Sequence, residues 1–175
     1  MRKSLLLSVF MVLAANAPGQ GINVRLKDLD GKKVELADLY KSRPLVVTFW
    51  ATWCKPCQEE LRQLHLLHQA YADSGIGFLA VSIDESRDQG KVRSLVAGSR
   101  FAFPVALDPE QRALKRFGFN DVPGTAIIGG AGEVVWKHAG YRPGDEAKLE
   151  AEIRKLVKRA EPESSSVNPE EERTE

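Results

Sequence analysis

Apolar and polar positions along the chain change their period several times, and each change marks an element. Two short alternating runs, Asn23–Lys27 and Lys33–Leu36, flank the turn Asp28-Leu29-Asp30-Gly31-Lys32, which predicts a β-hairpin. Ala37–Arg43 is polar and helix-prone over one or two turns. Pro44 stops it, because proline drives the preceding residue out of the helical region. Leu45–Trp50 is apolar on both faces and partly β-branched, the pattern of a buried central strand. From Pro56 the period becomes 3.6. Leu61, Leu64, Leu67 and Tyr71 fall on one helix face, with an end predicted near Asp73-Ser74-Gly75. Phe78–Ile83 reads as a second buried strand, Ser86–Ser99 as a more polar helix, Pro104–Leu107 as a short strand and Glu110–Phe117 as a helix. Thr125–Ile128 and Val134–His138 look like two strands around the turn Gly129-Gly130-Ala131-Gly132. Leu149, Ile153, Leu156, Val157 and Ala160 mark a last amphipathic helix.

This order gives the fold class: α/β, in three layers. The βαβ units require right-handed crossovers and a parallel portion of sheet. The final pair of strands, joined by a tight turn, makes the sheet mixed, and helices cover both faces. One domain is the default for 175 residues, and 43% hydrophobic residues supply a real core. Lys and Arg total 25 against 24 for Asp and Glu, with no dense basic block, which argues against a nucleic-acid binder held by phosphate contacts.

The two ends read differently from the body. Arg2 and Lys3, the apolar stretch Leu5–Ala15 and the small-x-small triplet Ala15-Asn16-Ala17 predict a signal segment over residues 1–17. Pro18 is unfavourable directly after a cut at Ala17, so cleavage after Ala15 and an uncleaved anchor both stay open. Export would place the protein in the periplasm or cell envelope, an oxidising compartment where thiols and disulfides exchange. The domain is expected over residues 18–160. Residues 161–175, with six glutamates, two prolines and three consecutive serines, lack the apolar area to fold and are expected to form a disordered acidic tail.

The chemistry rests on Cys54 and Cys57, the two cysteines of the chain. A zinc site needs four ligands. His65 and His68 lie eight and eleven residues beyond Cys57, so a continuous helix carries them about 12 Å or more away along its axis. No metal site is expected. As a structural staple the pair closes too short a loop to remove much unfolded-state entropy. A redox pair explains more. Pro56 suits the first turn of a helix, where its missing N–H costs nothing. Cys54 then sits at the helix N-terminus, whose N–H groups and dipole favour a thiolate. Cys54 is expected to be the exposed nucleophile that attacks a partner disulfide, and Cys57 the residue that resolves the mixed disulfide. Lys55 is either a charge that lowers the Cys54 pKa further or an ordinary exposed lysine. A C-x-x-C on a βαβ background is the signal for this kind of site.

FWATWCKPC, Phe49–Cys57, resembles the active-site stretch of the thioredoxin superfamily, and more narrowly that of exported thioredoxin-like proteins of the TlpA/ResA type. DLDGKKVELADLYKSRPLVVTFW, Asp28–Trp50, resembles their N-terminal hairpin and first central strand. NDVPGTAII, Asn120–Ile128, resembles the segment with their cis-proline, and GEVVWKHAG, Gly132–Gly140, the strand after it. The match spans roughly residues 22–160. The resemblance implies a thioredoxin-like α/β/α fold with an N-terminal hairpin and no cofactor. It implies that Cys54 and Cys57 are the redox pair and that Trp53 packs beside them. It also implies that Pro123 is the cis-proline facing the disulfide, with Val122, Lys55 and Pro56 bordering the groove for an extended partner. The activity implied is thiol–disulfide oxidoreduction, as a reductant in the bacterial cell envelope of the kind that serves cytochrome c maturation. Its partners would be client proteins with thiols or disulfides and a membrane electron donor. A monomer is expected.

Thioredoxin has a buried aspartate six residues before its first cysteine, and here that position is Thr48. Glu60, three residues after Cys57, comes near the same helix face, and the TlpA/ResA group has a glutamate at this spacing. A partly buried carboxylate there would have a raised pKa and could exchange a proton with the pair. The alternative is a solvated glutamate like Glu59. Arg62 stands where the group usually has proline, which bears on helix shape. His65 is expected at a helix edge, His68 at the margin of the buried face, and His138 half-exposed on its strand. Three rivals can be named. A peroxidase of the related peroxiredoxin group wants proline and threonine seven and three residues before its cysteine, where this chain has Val47 and Ala51. A thioredoxin-like copper carrier has C-x-x-x-C and a downstream histidine, against C-x-x-C and His138 here. A dithiol oxidant of the envelope shares the motif of the reductant, so redox direction stays open.

Overall fold

In the computed structural model, residues 21–160 are described. The expected signal segment (residues 1–17) and the expected acidic tail (residues 161–175) lie outside them. The chain runs β1 (Arg25–Asp28), β2 (Lys33–Glu35), α1 (Leu36–Tyr40), β3 (Leu45–Trp50), α2 (Lys55–Ala70) and β4 (Gly77–Ser82). It continues through α3 (Gln89–Ser99), β5 (Val105–Leu107), α4 (Arg112–Arg116), β6 (Gly124–Ile128), β7 (Val134–Ala139) and α5 (Glu146–Ala160).

The strands form one mixed sheet in the order β2-β1-β5-β4-β3-β6-β7. β3, β4 and β5 are parallel, as their helical crossovers require. β6 runs antiparallel to β3, and β7 antiparallel to β6. The hairpin β1–β2 extends the far edge, through antiparallel pairing of Lys27 with Leu107 and Asp28 with Ala106. Every residue of β3 and β4 is buried, which explains why their sequences carry no polar alternation. Side chains of β3 nonetheless alternate between layers. Thr48 reaches Glu60 of α2, while Phe49 packs edge-on against Phe117 just after α4, on the opposite side of the sheet.

Element ends differ from the sequence expectation in instructive places. α2 begins at Lys55 with Cys54 as its N-cap, so Pro56 still falls among the first N–H positions that lack intrahelical partners. It stops at Ala70, where Tyr71 leaves helical geometry and its hydroxyl meets Glu150 and Arg154 of α5. The first turn of the expected Ser86–Ser99 helix is a 3₁₀ turn over Ser86–Asp88. α4 starts only at Arg112, because Gln111 takes a left-handed conformation (φ 56°) that no α-helix contains. Asp108 caps this short helix, its carboxylate accepting from the N–H groups of Arg112 and Leu114.

Candidate active site

β3 ends at Trp50 and α2 begins at Lys55, so four residues, Ala51 to Cys54, make the turn at the C-terminal edge of the sheet. Cys54 and Cys57 are joined as a disulfide with their Cα atoms 5.3 Å apart. As N-cap, Cys54 has extended backbone, and its sulfur accepts the Cys57 N–H at 3.2 Å. The helix therefore offers an N–H of its first turn, from its third residue, to the sulfur that would carry negative charge in the dithiol form. Cys57 is fully enclosed, whereas Cys54 keeps 6% of its surface. That exposure is slighter than expected of an attacking residue, and the loop opposite is the reason. The carbonyl oxygen of Val122 lies 3.9 Å from the Cys54 sulfur. Trp53 beside it is 66% exposed, and Lys55 and Pro56 are exposed too.

The Val122–Pro123 peptide bond is cis. The loop is tied from both sides: Asp121 accepts the Val122 N–H, and the Pro123 carbonyl accepts from Gly140 N–H at 2.8 Å. Gly124 opens β6 here opposite Phe49, and a Cβ on it would come within 2.7 Å of the Phe119 ring. A groove of roughly 490 Å³ runs along this loop, lined by Pro56, Val122, Pro123, His138, Tyr141 and Arg142 among others.

Glu60 is buried, 7% exposed, on the face of α2 that also buries Cys57, Leu61, Leu64 and Leu67. Its carboxyl oxygens lie 3.1 Å from the Thr48 hydroxyl and 2.8 Å from the Thr125 hydroxyl. Burial pushes its pKa from 4.5 up to about 7, against the opposing effect of the two threonine hydroxyls, and the negative charge of Asp145 adds to the rise. Glu59, by contrast, is exposed and pairs loosely with Arg62 at 3.9 Å. Arg62 sits inside a regular helix, so α2 passes this position without a break.

One part of the site escaped the sequence reading. Asp84, at 2% exposure just after β4, accepts the Thr52 N–H at 2.9 Å, the Thr52 hydroxyl at 2.6 Å and the Ser82 hydroxyl at 2.8 Å. Gln58 of α2 donates to the Thr52 carbonyl at 2.7 Å. The turn that presents Trp53 and Cys54 is thus clamped from the next strand and from its own helix. The available signal was an acidic residue directly after a strand with no other charge, a position where a carboxylate is rarely buried without partners.

The histidines stand apart from the cysteines. His65 packs against Phe101 and Phe103, and His68 edge-on against Phe78. Burial lowers the His68 pKa, with His65 and Arg43 adding to the effect. His138 is part-exposed on β7 and lies 3.2 Å from Asp145. Among the described residues no group of three or more His, Cys, Asp or Glu side chains is placed to hold a metal ion. No helix among them is long and apolar enough to cross a membrane.

Comparison with known proteins agrees with this geometry. Residues 14–153 match the Redoxin family. The chain is 33% identical over 135 residues to the thiol-disulfide oxidoreductase ResA of Bacillus anthracis, covering 77% of this chain and 75% of that protein. Among solved structures, a thioredoxin-like protein from Porphyromonas gingivalis shares 34% identity at a TM-score of 0.70, over 81% of this chain and 94% of that one. A protein from Chlorobium tepidum, provisionally named thiol:disulfide interchange protein DsbE, shares 27% identity at a TM-score of 0.72, over 79% of this chain and 95% of that one. With a C-x-x-C disulfide at a helix N-terminus on a thioredoxin-like sheet, the chain belongs to the Redoxin family and is a thiol–disulfide oxidoreductase similar to ResA.

Proposed function

We propose that the protein is an exported reductant of client disulfides in the bacterial cell envelope. The observation that carries the site assignment is the Cys57 N–H donated to the Cys54 sulfur at the N-terminus of α2. That arrangement stabilises a thiolate on Cys54 and on no other residue of the pair. In the dithiol form, the Cys54 thiolate attacks a client disulfide. A mixed disulfide forms and one client sulfur leaves as a thiolate. Cys57 then attacks the Cys54 sulfur, which releases the second client sulfur and leaves the protein as the disulfide. Two electrons pass to the client, and a membrane electron donor restores the dithiol.

The groove beside Val122 and Pro123 receives the client as an extended segment. Pro56 lines it too, exposed Trp53 beside Cys54 extends the client surface, and Lys55 adds a positive charge next to Cys54. Glu60 takes the proton that Cys57 must lose before it can attack. The basic, apolar segment of residues 1–17 supports export. Similarity to ResA and to a DsbE-named protein supports service to cysteines of apocytochromes c as the client class.

The test is the equilibrium reduction potential of the Cys54–Cys57 pair in a dithiothreitol buffer. A value at or below that of thioredoxin, about −270 mV, is expected of a reductant. A value near −120 mV, as in a strong dithiol oxidant, would reverse the assigned direction.

A further inference from the structure

We propose that Thr48 and Thr125 close a hydrogen-bonded ring with the carboxylic acid of Glu60, and that this ring holds the proton of Glu60 while the cysteines are a disulfide. The inference rests on the reading of Glu60 as the proton partner of the pair, and adds the two threonines as its positioning residues.

Three oxygen pairs are within hydrogen-bond distance: Thr48 Oγ1 to Glu60 Oε2 at 3.1 Å, Thr125 Oγ1 to Glu60 Oε1 at 2.8 Å, and Thr125 Oγ1 to Thr48 Oγ1 at 2.7 Å. Three bonds need three protons, and two hydroxyls supply two. The third is the proton of Glu60 itself. With it, the bonds close in one direction: Thr125 donates to Thr48, Thr48 to Oε2, and Oε1–H back to Thr125. Without it, one of the three contacts lacks a proton and sets lone pair against lone pair, either between the threonines at 2.7 Å or between Thr125 and Oε1 at 2.8 Å.

Solvent offers no way out. Thr48 is fully buried and Thr125 is 1% exposed. Nor can the threonines move apart freely, because they are paired residues in the β3–β6 ladder, with α2 lying over them.

Charges around Glu60 act in the same direction. Asp145 and Glu146, at the start of α5, and Tyr141 line the small cleft on its other side, together with His138 of β7. The His138 imidazole and the Lys148 ammonium are both engaged by Asp145, at 3.2 and 2.7 Å. Among the described residues no guanidinium or ammonium is bonded to Glu60. A carboxylate there would be buried with two hydroxyls as its only donors.

The ring gives the redox step its proton balance. As the Cys57 sulfur attacks Cys54, its proton passes to the Glu60 carboxylate, three residues along the same helix face. The departing client thiolate is protonated from solvent. The protein ends as the disulfide with a neutral Glu60 and a closed ring. When the donor delivers two electrons, the ring opens and the proton returns to Cys57.

The experiment uses the oxidised full-length protein labelled with ¹³C at the glutamate side-chain carboxyl. The Glu60 signal is assigned by its loss in Glu60→Gln and read by carbon NMR and by the infrared carbonyl band. At pH 6 the acid form should exceed the carboxylate about tenfold, given a pKa of about 7. Thr48→Val should move the acid carbonyl band to higher frequency, since Oε2 loses its donor. Thr125→Val should shift it as well, and Thr125→Ser, which keeps the hydroxyl, should restore the wild-type band. A Glu60 carboxylate at pH 6 in the oxidised wild type would overturn the proposal. So would a band unmoved by both valine variants. None of these readouts requires turnover, so a ring present in a protein that reduces no client disulfide would sink the proposed function alone.

Discussion

The buried carboxyl of Glu60 makes a quantitative prediction about stability. Its pKa rises from 4.5 to about 7 on folding, mainly through burial. The folded protein therefore binds this proton more tightly than the unfolded chain. Stability is highest below the unfolded value and falls as pH rises towards the folded value, because the unfolded chain ionises first. At about 1.36 kcal/mol per pKa unit, the full loss is about 3 kcal/mol, of which about 2.5 kcal/mol falls between pH 5 and pH 8. Glu60→Gln removes this dependence. Its amide N–H and carbonyl can replace the O–H and carbonyl of the neutral acid in the ring with the two threonines. Urea unfolding of oxidised wild type and Glu60→Gln should give similar stabilities at pH 5, while at pH 8 the variant should be the more stable by about 2–3 kcal/mol. Glu60→Ala is the control, because its cavity and unpaired threonines destabilise at both pH values. Parallel pH profiles for wild type and Glu60→Gln would refute the reasoning, since they would mean that Glu60 ionises alike in the folded and unfolded chain.

Three further outcomes are expected. Asp84→Ala leaves the Thr52 N–H and hydroxyl without their acceptor and should cost about 3 kcal/mol in urea unfolding, with Asp84→Asn recovering part of it. Cys57→Ser should accumulate a mixed disulfide with a client at Cys54, visible by mass spectrometry, whereas Cys54→Ser should form none; equal adducts in both would undo the assigned order of attack. Trp53→Ala removes a side chain that is 66% exposed, so stability should stay within about 0.5 kcal/mol while the rate of client disulfide reduction falls; an unchanged rate would take Trp53 out of the client surface.

By itself the sequence determined the elements and the reacting atoms. Runs such as Leu45–Trp50 and the 3.6-residue period after Pro56 are local patterns. So is the placing of Cys54 ahead of a helix, and all can be read without knowing what lies across the fold. The cis bond before Pro123 was legible only through resemblance, because local preference favours trans. The tertiary structure decided what surrounds those atoms. Thr48 and Thr125 are 77 residues apart, and only the β3–β6 register sets them opposite each other under Glu60. Asp84 lies 32 residues from the Thr52 it clamps, and it reaches that turn because β4 runs parallel beside β3. Cys54 keeps so little exposure because a loop 68 residues away in sequence leans on it. Burial, pKa and hydrogen-bond partners depend on which surfaces the sheet brings together. A linear pattern encodes which residues are apolar, but not which of them will enclose a given carboxyl group.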